Sequence, residues 1–458
     1  MRFDSFESIF RYYADNGNGT ALIYEENGEK KELSYSGLFD AVEKRKAELA
    51  ATGKTCIGIF CNSSKDCIVT VFAAASTGMQ IVMLDESLSD ETIKKQIAKT
   101  DVDMLFSDDS DTVEEFTPYL TGGVEKNAGR ILFFTSGTTS ASKAVILTEQ
   151  SLCSSAYNGS EKLPLSPDDT LLCMLPLNHV FGFVCSLLWG LSCGAKVALS
   201  RGTRYITQDF AFFEPTAVSL VPMLLGFTLK NELLNANLKL ILIGAGDCPD
   251  AMLDSAAAMG KRVCFGYGLT ETSSGVAISV EGDSHAMEIC PDDEIKIADD
   301  GEILIKAPTC IMQGYYKDEE STAEAFSDGW FCSGDLGRLD ENGRLYITGR
   351  KKEILVLPTG TKIFLPEYEG AIAKALHNDE LAVILLRGKP VLVVRESEED
   401  SLELYEKVAE VMRELPRSQQ LAHVIFKQEP LPRTPTGKIK RWVIQKTEEE
   451  KYDKNDES

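Results

Sequence analysis

The spacing of apolar and polar positions changes character once along the chain. Between about residue 55 and residue 270, short apolar runs alternate with longer helical patterns. The runs at 56–61, 80–84, 131–134, 170–175, 196–199, 238–243 and 262–265 predict strands, and 66–77 predicts a helix. Strands that alternate with helices are typical of α/β layers around parallel strands. We therefore expect an α/β fold in the first part of the chain.

After about residue 290 the pattern predicts hairpins and then a smaller α+β segment. The runs 294–297 and 302–306 flank an Asp-Asp-Gly turn, and 337–339 and 344–347 flank Asp-Glu-Asn-Gly. A basic junction at 349–352 precedes strands near 381–386 and 391–394 and a helix over 402–414, which Pro416 ends. We predict a large N-terminal domain of layered α/β subdomains with a β-rich end (1–349), a small α+β C-terminal domain (350–446) and a disordered polar tail (447–458).

Composition narrows the class of protein. With 458 residues, the chain is long enough for two or more domains, and its net charge of −24 argues against non-specific binding to nucleic acids or anionic membranes. Twelve cysteines without a CxxC pair, and only four histidines, make a zinc site or a disulfide framework improbable and favour the reducing cytoplasm.

The N-terminus lacks the apolar core of a signal peptide. The apolar stretch 180–195 is shorter than the roughly 20 residues of a membrane span, which favours a buried helix or pocket wall.

The strongest chemical signal is the segment 133–145, Phe-Phe-Thr-Ser-Gly-Thr-Thr-Ser-Ala-Ser-Lys-Ala-Val. An apolar strand ends there in a loop that offers backbone N–H groups, hydroxyls and a lysine, as a polyphosphate requires. It is not a P-loop, because Lys143 is neither preceded by Gly nor followed by Ser or Thr. A plain polar surface loop is the alternative interpretation.

Four further segments occur in a fixed order: Pro-Leu-Asn-His-Val-Phe-Gly (176–182), Gly-Tyr-Gly-Leu-Thr-Glu-Thr (266–272), Gly-Trp-Phe-Cys-Ser-Gly-Asp (329–335) and Thr-Pro-Thr-Gly-Lys-Ile-Lys (434–440). Together with the loop, they resemble the adenylate-forming superfamily of acyl-CoA synthetases, peptide-synthetase adenylation domains and firefly luciferase, over essentially the whole chain. The resemblance implies a two-step reaction. A carboxylate attacks the α-phosphate of ATP to give an acyl-adenylate and pyrophosphate, and a thiol, commonly that of coenzyme A, then displaces AMP.

The resemblance also implies roles for individual residues. The phosphates of ATP would be held by Thr135, Ser136, Gly137, Thr138, Thr139 and Lys143, and the rest of the nucleotide by Gly244, Ala245, Gly246, Tyr267, Gly268, Asp335 and Arg350. Tyr267 would lie along the adenine and Asp335 would accept the ribose hydroxyls. Thr270 would bind phosphate, and Glu271 would ligate Mg²⁺ with Thr138. Ordinary structural roles, such as a core tyrosine or a turn aspartate, remain alternatives.

Two lysines and a histidine complete the implied catalytic set. Lys438 would bridge the attacking carboxylate and the α-phosphate on a mobile C-terminal domain, and Lys352 would lie at its hinge. His179 would lie beside the acyl pocket. The segment 176–182 lacks the Asp with which amino-acid-activating relatives hold an ammonium group, so we expect a fatty or other uncharged acid. The apolar helix predicted after it is equally consistent with plain core.

The chain departs from the family pattern at Ser140, Ser142 and Ala144, where the loop usually carries Gly, Pro and Gly. It also departs after Gly360, where the family's Pro-x-Glu pattern is shifted by one, and before the loop, where the chain is short for the family. The leading hypothesis is an acyl-CoA ligase that uses ATP, Mg²⁺ and coenzyme A. A ligase that loads the thiol of a carrier protein and a non-catalytic nucleotide-binding relative are the alternatives.

Overall fold

The computed structural model of the chain describes residues 1–135, 143–246, 248–280, 285–358, 361–395, 401–413, 415–433 and 439–456. The chain folds into two compact units. Unit 1 comprises the described residues up to 333 together with 337–347, and unit 2 comprises 334–336 and the described residues from 348 onward. Within the described residues, no helix is long and apolar enough to cross a membrane.

Unit 1 contains most of the secondary structure. Its strands, the last two of which continue into unit 2, are β1 (Thr20–Glu26), β2 (Glu29–Ser34), β3 (Cys56–Phe60), β4 (Gln80–Leu84), β5 (Met104–Phe106), β6 (Ile131–Phe134), β7 (Ala144–Leu147), β8 (Thr170–Cys173), β9 (Lys196–Leu199), β10 (Ala217–Leu220), β11 (Leu240–Ile243), β12 (Arg262–Leu269), β13 (Ser274–Ile278), β14 (Glu288–Ile289), β15 (Glu294–Ile297), β16 (Glu302–Lys306), β17 (Gly314–Tyr315), β18 (Phe326–Ser327), β19 (Trp330–Leu339) and β20 (Leu345–Arg350). Its helices are α1 (Phe6–Asp15), α2 (Tyr35–Thr52), α3 (Lys65–Ser76), α4 (Asp90–Lys99), α5 (Ser110–Phe116), α6 (Glu149–Lys162), α7 (Val180–Gly182), α8 (Trp189–Ser192), α9 (Ile206–Phe213), α10 (Pro222–Lys230), α11 (Asp250–Ala258) and α12 (Glu319–Glu324).

Three sheets organise the described strands of unit 1. The first sheet has the order β14-β13-β12-β11-β10-β8-β9-β1-β2, and its strands from β12 to β1 are parallel. The second sheet has the order β17-β7-β6-β4-β3-β5, in which β3, β4, β5 and β6 are parallel. The third sheet contains β15, β16, β19 and β18, with β20 beside β19. Mostly parallel sheets with helical connections confirm the α/β class.

The core of unit 1 joins the first and second sheets. Every residue of β3 and β4 is buried, as expected of parallel strands covered on both faces. Aromatic rings from α1, α3, β6 and the helical stretch after His179 meet in this core. The ring centroids of Phe6 and Phe72 lie 4.9 Å apart, and those of Phe133 and Phe183 lie 5.7 Å apart. These contacts fix the residue just before the hydroxyl-rich loop against the helix that follows His179.

Unit 2 is a small α+β structure with its own core. Its remaining elements are β21 (Ile354–Val356), β22 (Lys362–Phe364), α13 (Leu365–Leu376), β23 (Leu381–Leu386), β24 (Lys389–Arg395), α14 (Ser401–Arg413), β25 (Val424–Lys427) and α15 (Arg441–Asp456). The sheet β23-β24-β25 packs its apolar residues against α13 and α14. Arg441 Nη2 lies 2.7 and 2.8 Å from the two carboxylate oxygens of Glu369, which joins α15 to α13.

Most predicted strands are present, and the two hairpins after residue 290 are β15–β16 and β19–β20. The helix α15 reaches Asp456, so most of the segment from 447 that was predicted to be disordered is helical instead. Glu448 explains part of this difference, because its buried carboxylate accepts hydrogen bonds from Lys427 and Lys451. The sequence also did not predict the disulfide between Cys61 and Cys67, the one disulfide within the described ranges.

Candidate active site

Loops that carry implied site residues leave the carboxyl ends of parallel strands in both large sheets. Thr135 follows β6, the segment 174–179 follows β8, and the segment 244–246 follows β11. Open α/β sheets bind ligands outside the carboxyl ends of their strands. The implied nucleotide residues of unit 1 therefore lie where this fold class places a ligand.

The hydroxyl-rich loop connects two antiparallel strands. The β6–β7 pairing runs from Ile131 opposite Leu147 to Phe134 opposite Ala144. Beyond it, the N–H of Thr135 donates to the carbonyl of Lys143 at 3.0 Å, and the N–H of Lys143 donates to Thr135 Oγ1 at 3.3 Å. These bonds hold Thr135 and Lys143 opposite each other at the base of the loop. Of the other implied phosphate contacts, Ser136, Gly137, Thr138 and Thr139 lie outside the described residues, as do Ser140 and Ser142.

The implied adenine segment contains an irregular strand. The register of β12 and β13 shifts between Tyr267 and Gly268, and a Cβ atom at Gly268 would lie 1.6 Å from the carbonyl oxygen of Ser274. Only glycine permits that approach. Tyr267 is buried. The bulge therefore sets the direction in which the chain leaves β12 toward Thr270.

A second loop lies beside this segment. Gly244 donates its N–H to the carbonyl of Leu220 at 3.2 Å, and Ala245 has a φ of +60°. A left-handed conformation is unusual for a residue with a side chain and reverses the chain direction sharply. The loop that contains Gly246 thus turns away from the end of β11 next to the end of β10.

Glu271 occupies a short 3₁₀ helix, Thr270–Thr272, directly after β12. Its carbonyl accepts from the N–H of Met312 at 2.7 Å, and its side chain is buried. The hydroxyl of Tyr315 donates to Glu271 Oε1 at 2.8 Å. Burial, and then the charge of Glu271, raise the pKa of the Tyr315 hydroxyl well above its ordinary value.

The ring of Tyr315 also contacts the base of the hydroxyl-rich loop. Lys143 Nζ lies 4.5 Å from the ring centroid, in cation–π contact. Tyr315 therefore brings the implied phosphate lysine and the implied metal ligand to one place. The sequence analysis missed this residue. Its only local signal is the pair Tyr315-Tyr316 after a glycine.

Among the described residues, Glu271 is the implied protein ligand of a divalent cation, and the other implied ligand, Thr138, lies outside them. The described residues contain no group of three or more His, Cys, Asp or Glu side chains that could hold a metal ion. Mg²⁺ commonly binds one or two carboxylates and completes its shell with substrate phosphates and water. A single buried carboxylate at Glu271 fits that mode, and it does not fit a metal held by protein groups alone.

The helical stretch after His179, and not His179 itself, forms one wall of an apolar pocket. His179 precedes a continuous helical stretch made of α7, a π-helix (Phe183–Leu188) and α8. This agrees with the predicted buried helix or pocket wall. His179 is exposed to solvent, yet neighbouring protein atoms desolvate its imidazole enough to lower its pKa, and the charge of Asp85 opposes that shift.

The pocket itself lies between this stretch, α6 and the first sheet. Its described lining residues are uncharged: Ser155, Ala156, Gly159, Leu163, Val184, Cys185, Trp189, Leu242, Gly275 and Ile278. The indole N–H of Trp189 donates to the carbonyl of Leu163 at 2.9 Å, which fixes the ring. Ser219 Oγ donates to the carbonyl of Cys185 at 2.7 Å, within the π-helix. π-Helical turns are rare and often occur at functional sites.

Unit 2 pairs two of the implied nucleotide residues. Arg350 Nε lies 2.9 Å from Asp335 Oδ1, and Asp335 is 3% exposed. Lys352 lies in a 3₁₀ helix, Lys351–Glu353, directly after β20. Lys438 lies outside the described residues.

Comparisons with known proteins relate the chain to one family of enzymes. The family model described as "AMP-binding enzyme" matches residues 10–128 and 124–316. Among curated relatives, the 2-succinylbenzoate–CoA ligase of Listeria innocua is 27% identical over 92% of this chain and 95% of its own length. The indoleacetate–CoA ligase of Aromatoleum aromaticum is 26% identical over 82% and 84%. The long-chain-fatty-acid–CoA ligase FadD15 of Mycobacterium bovis is 30% identical, but over only 51% and 48%.

A solved structure shares the fold across nearly the whole chain. The o-succinylbenzoate coenzyme A synthetase MenE from Bacillus subtilis, in complex with ATP and magnesium ion, superposes with a TM-score of 0.78 at 24% identity, covering 94% of this chain and 98% of that one. The predicted fold class and the prediction of an enzyme of the acid–thiol ligase type are confirmed. Because the family model covers well over half of the sequence, the chain belongs to the AMP-binding enzyme family.

Proposed function

We propose that the protein uses ATP to convert a carboxylic acid to an acyl-adenylate with release of pyrophosphate, and then transfers the acyl group to the thiol of coenzyme A. The observation that carries this proposal is the meeting of Lys143 and Glu271 on Tyr315, beside the carboxyl ends of β6 and β12. A cation and a carboxylate that could ligate Mg²⁺, both in contact with one side chain, suit the polyphosphate of ATP. The named relatives are CoA ligases, which supports the choice of acceptor.

The first step brings two anions together, so their repulsion must be offset by fixed positive charge and donors. Lys143, with Thr135 and the hydroxyls of 136–139, would neutralise the β- and γ-phosphates. Magnesium bound at Glu271 would supply further positive charge to the phosphates. Tyr267 and the 244–246 loop would hold the adenine, and Thr270 would donate to phosphate.

Groups of unit 2 would complete the reaction. Asp335 would accept the ribose hydroxyls, with its carboxylate oriented by Arg350. Lys438 would bridge the carboxylate of the acid and the α-phosphate during adenylation. A rotation about Lys352 would then exchange the groups presented to the acyl-adenylate, so that the thiol can attack.

The acid itself would be apolar beyond its carboxylate, and an aryl acid fits best. Two of the three curated relatives compared above act on acids with an aromatic ring, which weighs against the emphasis on fatty acids in the sequence analysis. We assign the apolar pocket between α6, the π-helix and the first sheet to the acyl group. Its described lining has no cation that could pair with a second carboxylate and no anion that could pair with an ammonium group. Burying an unpaired charge is costly. A compact aryl acid with no charged group other than the reacting carboxylate should therefore be preferred to 2-succinylbenzoate and to any α-amino acid.

A panel of acids tests this proposal. Purified protein with ATP and Mg²⁺ is offered aryl acids, straight-chain acids of increasing length, 2-succinylbenzoate and α-amino acids, with and without coenzyme A. We expect acid-dependent pyrophosphate release with apolar monocarboxylates, accelerated by coenzyme A. Pyrophosphate release without consumption of coenzyme A would indicate a carrier-protein acceptor. No release with any acid would refute the proposed activity.

A further inference from the structure

Tyr315 makes two contacts that no motif of the sequence assigns to it. Its hydroxyl donates to the Glu271 carboxylate at 2.8 Å, and its ring lies 4.5 Å from Lys143 Nζ. Both partners are residues that the proposed function assigns to the metal–nucleotide complex. The buried side chain of Tyr315 thus contacts two groups of opposite charge: the carboxylate of Glu271, after β12, and the ammonium of Lys143, before β7.

The backbone of Tyr315 is held as firmly as its side chain. The strand β17 pairs with β7, so that Tyr315 lies opposite Val145, two residues after Lys143. The N–H of Tyr315 donates to Thr322 Oγ1 at 2.8 Å. Its neighbour Gly314 has a φ of +142°, and a Cβ there would lie 2.9 Å from Thr322 Cγ2. These contacts fix the backbone position from which the Tyr315 side chain reaches Glu271 and Lys143.

We propose that Tyr315 is a positioning residue that holds the Glu271 carboxylate and the Lys143 ammonium in one arrangement for a divalent cation bound to ATP. The hydroxyl fixes one carboxylate oxygen and leaves the other available to the cation. The ring holds the Lys143 ammonium near the Glu271 carboxylate. Because the side chain of Tyr315 lies between them, the two charged groups do not pair directly with each other. The inference rests on the proposed function, but its test needs no acid substrate.

The test compares the affinity for ATP with and without Mn²⁺, measured by titration calorimetry on the full chain in the absence of acid. The dissociation constant of metal-free ATP divided by that of Mn²⁺–ATP gives a ratio, which is high when the site favours the metal complex. Tyr315→Phe removes the hydroxyl and keeps the ring. We expect this ratio to fall about tenfold, the scale for losing a hydrogen bond to a charged group, with little change for metal-free ATP. Tyr315→Leu, which also removes the ring, should weaken metal-free ATP binding about threefold in addition.

Tyr316→Phe is the matched control. Tyr316 is the next residue and is also buried, but its hydroxyl donates to Asp101 Oδ2 at 2.6 Å, so the same chemical change is made outside the Glu271 contact. The ratio should be unchanged in this variant. Equal ratios in Tyr315→Phe and Tyr316→Phe would overturn the proposal, as would an equal loss of affinity for ATP with and without metal.

A double-mutant cycle locates the effect. In a Glu271→Gln background, Tyr315→Phe should cost no further metal affinity, whereas additive losses would overturn the proposed coupling. Thr322→Val gives the same test if Tyr315→Phe fails to fold. It removes the hydroxyl that accepts from the Tyr315 N–H, and it keeps the side chains of Tyr315 and Glu271. It should lower the ratio at unchanged affinity for metal-free ATP, and an unchanged ratio would overturn the proposal. Failure of every acid to release pyrophosphate would refute the proposed function without changing these binding results.

Discussion

Gly159→Ala should narrow the apolar pocket without damaging the fold. Gly159 lies in α6 and lines the pocket. A Cβ atom built there meets Trp189 Cδ1 at 3.8 Å and nothing nearer, which is ordinary van der Waals contact. The substitution should therefore be accommodated without strain. Replacing glycine inside a helix should also stabilise the protein by about 0.8–1 kcal/mol.

The effect on selectivity follows from the space that the new methyl group occupies. The largest acid that the wild-type pocket holds should lose the burial of about one CH₂ group, worth about 0.8 kcal/mol, or roughly fourfold in kcat/KM. Smaller acids of the same series, which do not reach this wall, should be unaffected. The assay is pyrophosphate release measured over a homologous series of acids, together with the unfolding temperature of each protein.

Gly370→Ala is the control, because Gly370 lies in α13 of unit 2 and a Cβ there meets nothing within 4 Å. It should raise the unfolding temperature as Gly159→Ala does, with no change in acid preference. A uniform loss of activity with every acid in Gly159→Ala, or no loss with the largest one, would refute the assignment of this pocket to the acyl group.

Three further predictions concern catalysis and stability. Lys438→Ala should slow acyl-adenylate formation at least about 100-fold but leave thioester formation from supplied acyl-adenylate much less affected; Lys440→Ala is the control, and equal loss in both half-reactions would contradict the bridging role. Lys352→Pro should cripple one half-reaction and spare the other, because proline cannot take up a large change in φ; wild-type rates in both would place the hinge elsewhere. Burial, and then the charge of Asp292, raise the pKa of the Asp293 carboxyl to about 7. The folded protein therefore keeps a proton that the unfolded chain loses above about pH 4, and stability should fall as pH rises from about 4 to 7 and then level off. Asp293→Asn should flatten part of this fall in unfolding temperature; the rest is left to Glu149, whose pKa burial raises to about 7, and to Glu369, whose pKa burial also raises. An identical pH dependence in the variant would contradict this assignment.

The sequence predicted the elements whose signal is local. The runs that form β3 and β4 are apolar throughout, because both faces of these strands are buried, and their bounds were recovered within a residue. The hairpin β15–β16 was equally visible, since its turn residues lie between two alternating runs. The order of five motifs was enough to identify the family, although each motif alone was ambiguous.

What the sequence did not predict depends on long-range contacts. Tyr315 belongs to a strand of two residues, and its partner strand β7 lies about 170 positions earlier, so no local pattern marks it. The helical continuation of α15 depends on contacts of Glu448 with Lys427 as well as with its own helix. The register shift at Gly268 likewise arises from the approach of Ser274, which the motif around Tyr267 does not reveal.

The central claim is that the carboxylate of the acid attacks the α-phosphate of ATP. The most direct test is to follow the carboxylate oxygen atoms into the products. The best acid of the panel, labelled with ¹⁸O in both carboxylate oxygens, is converted with ATP and coenzyme A, and the products are analysed by mass spectrometry. If the carboxylate attacks the α-phosphate, each AMP formed carries one ¹⁸O atom, and the acyl-CoA retains the other. Formation of ADP with labelled inorganic phosphate, or of AMP without label, would contradict the acyl-adenylate mechanism.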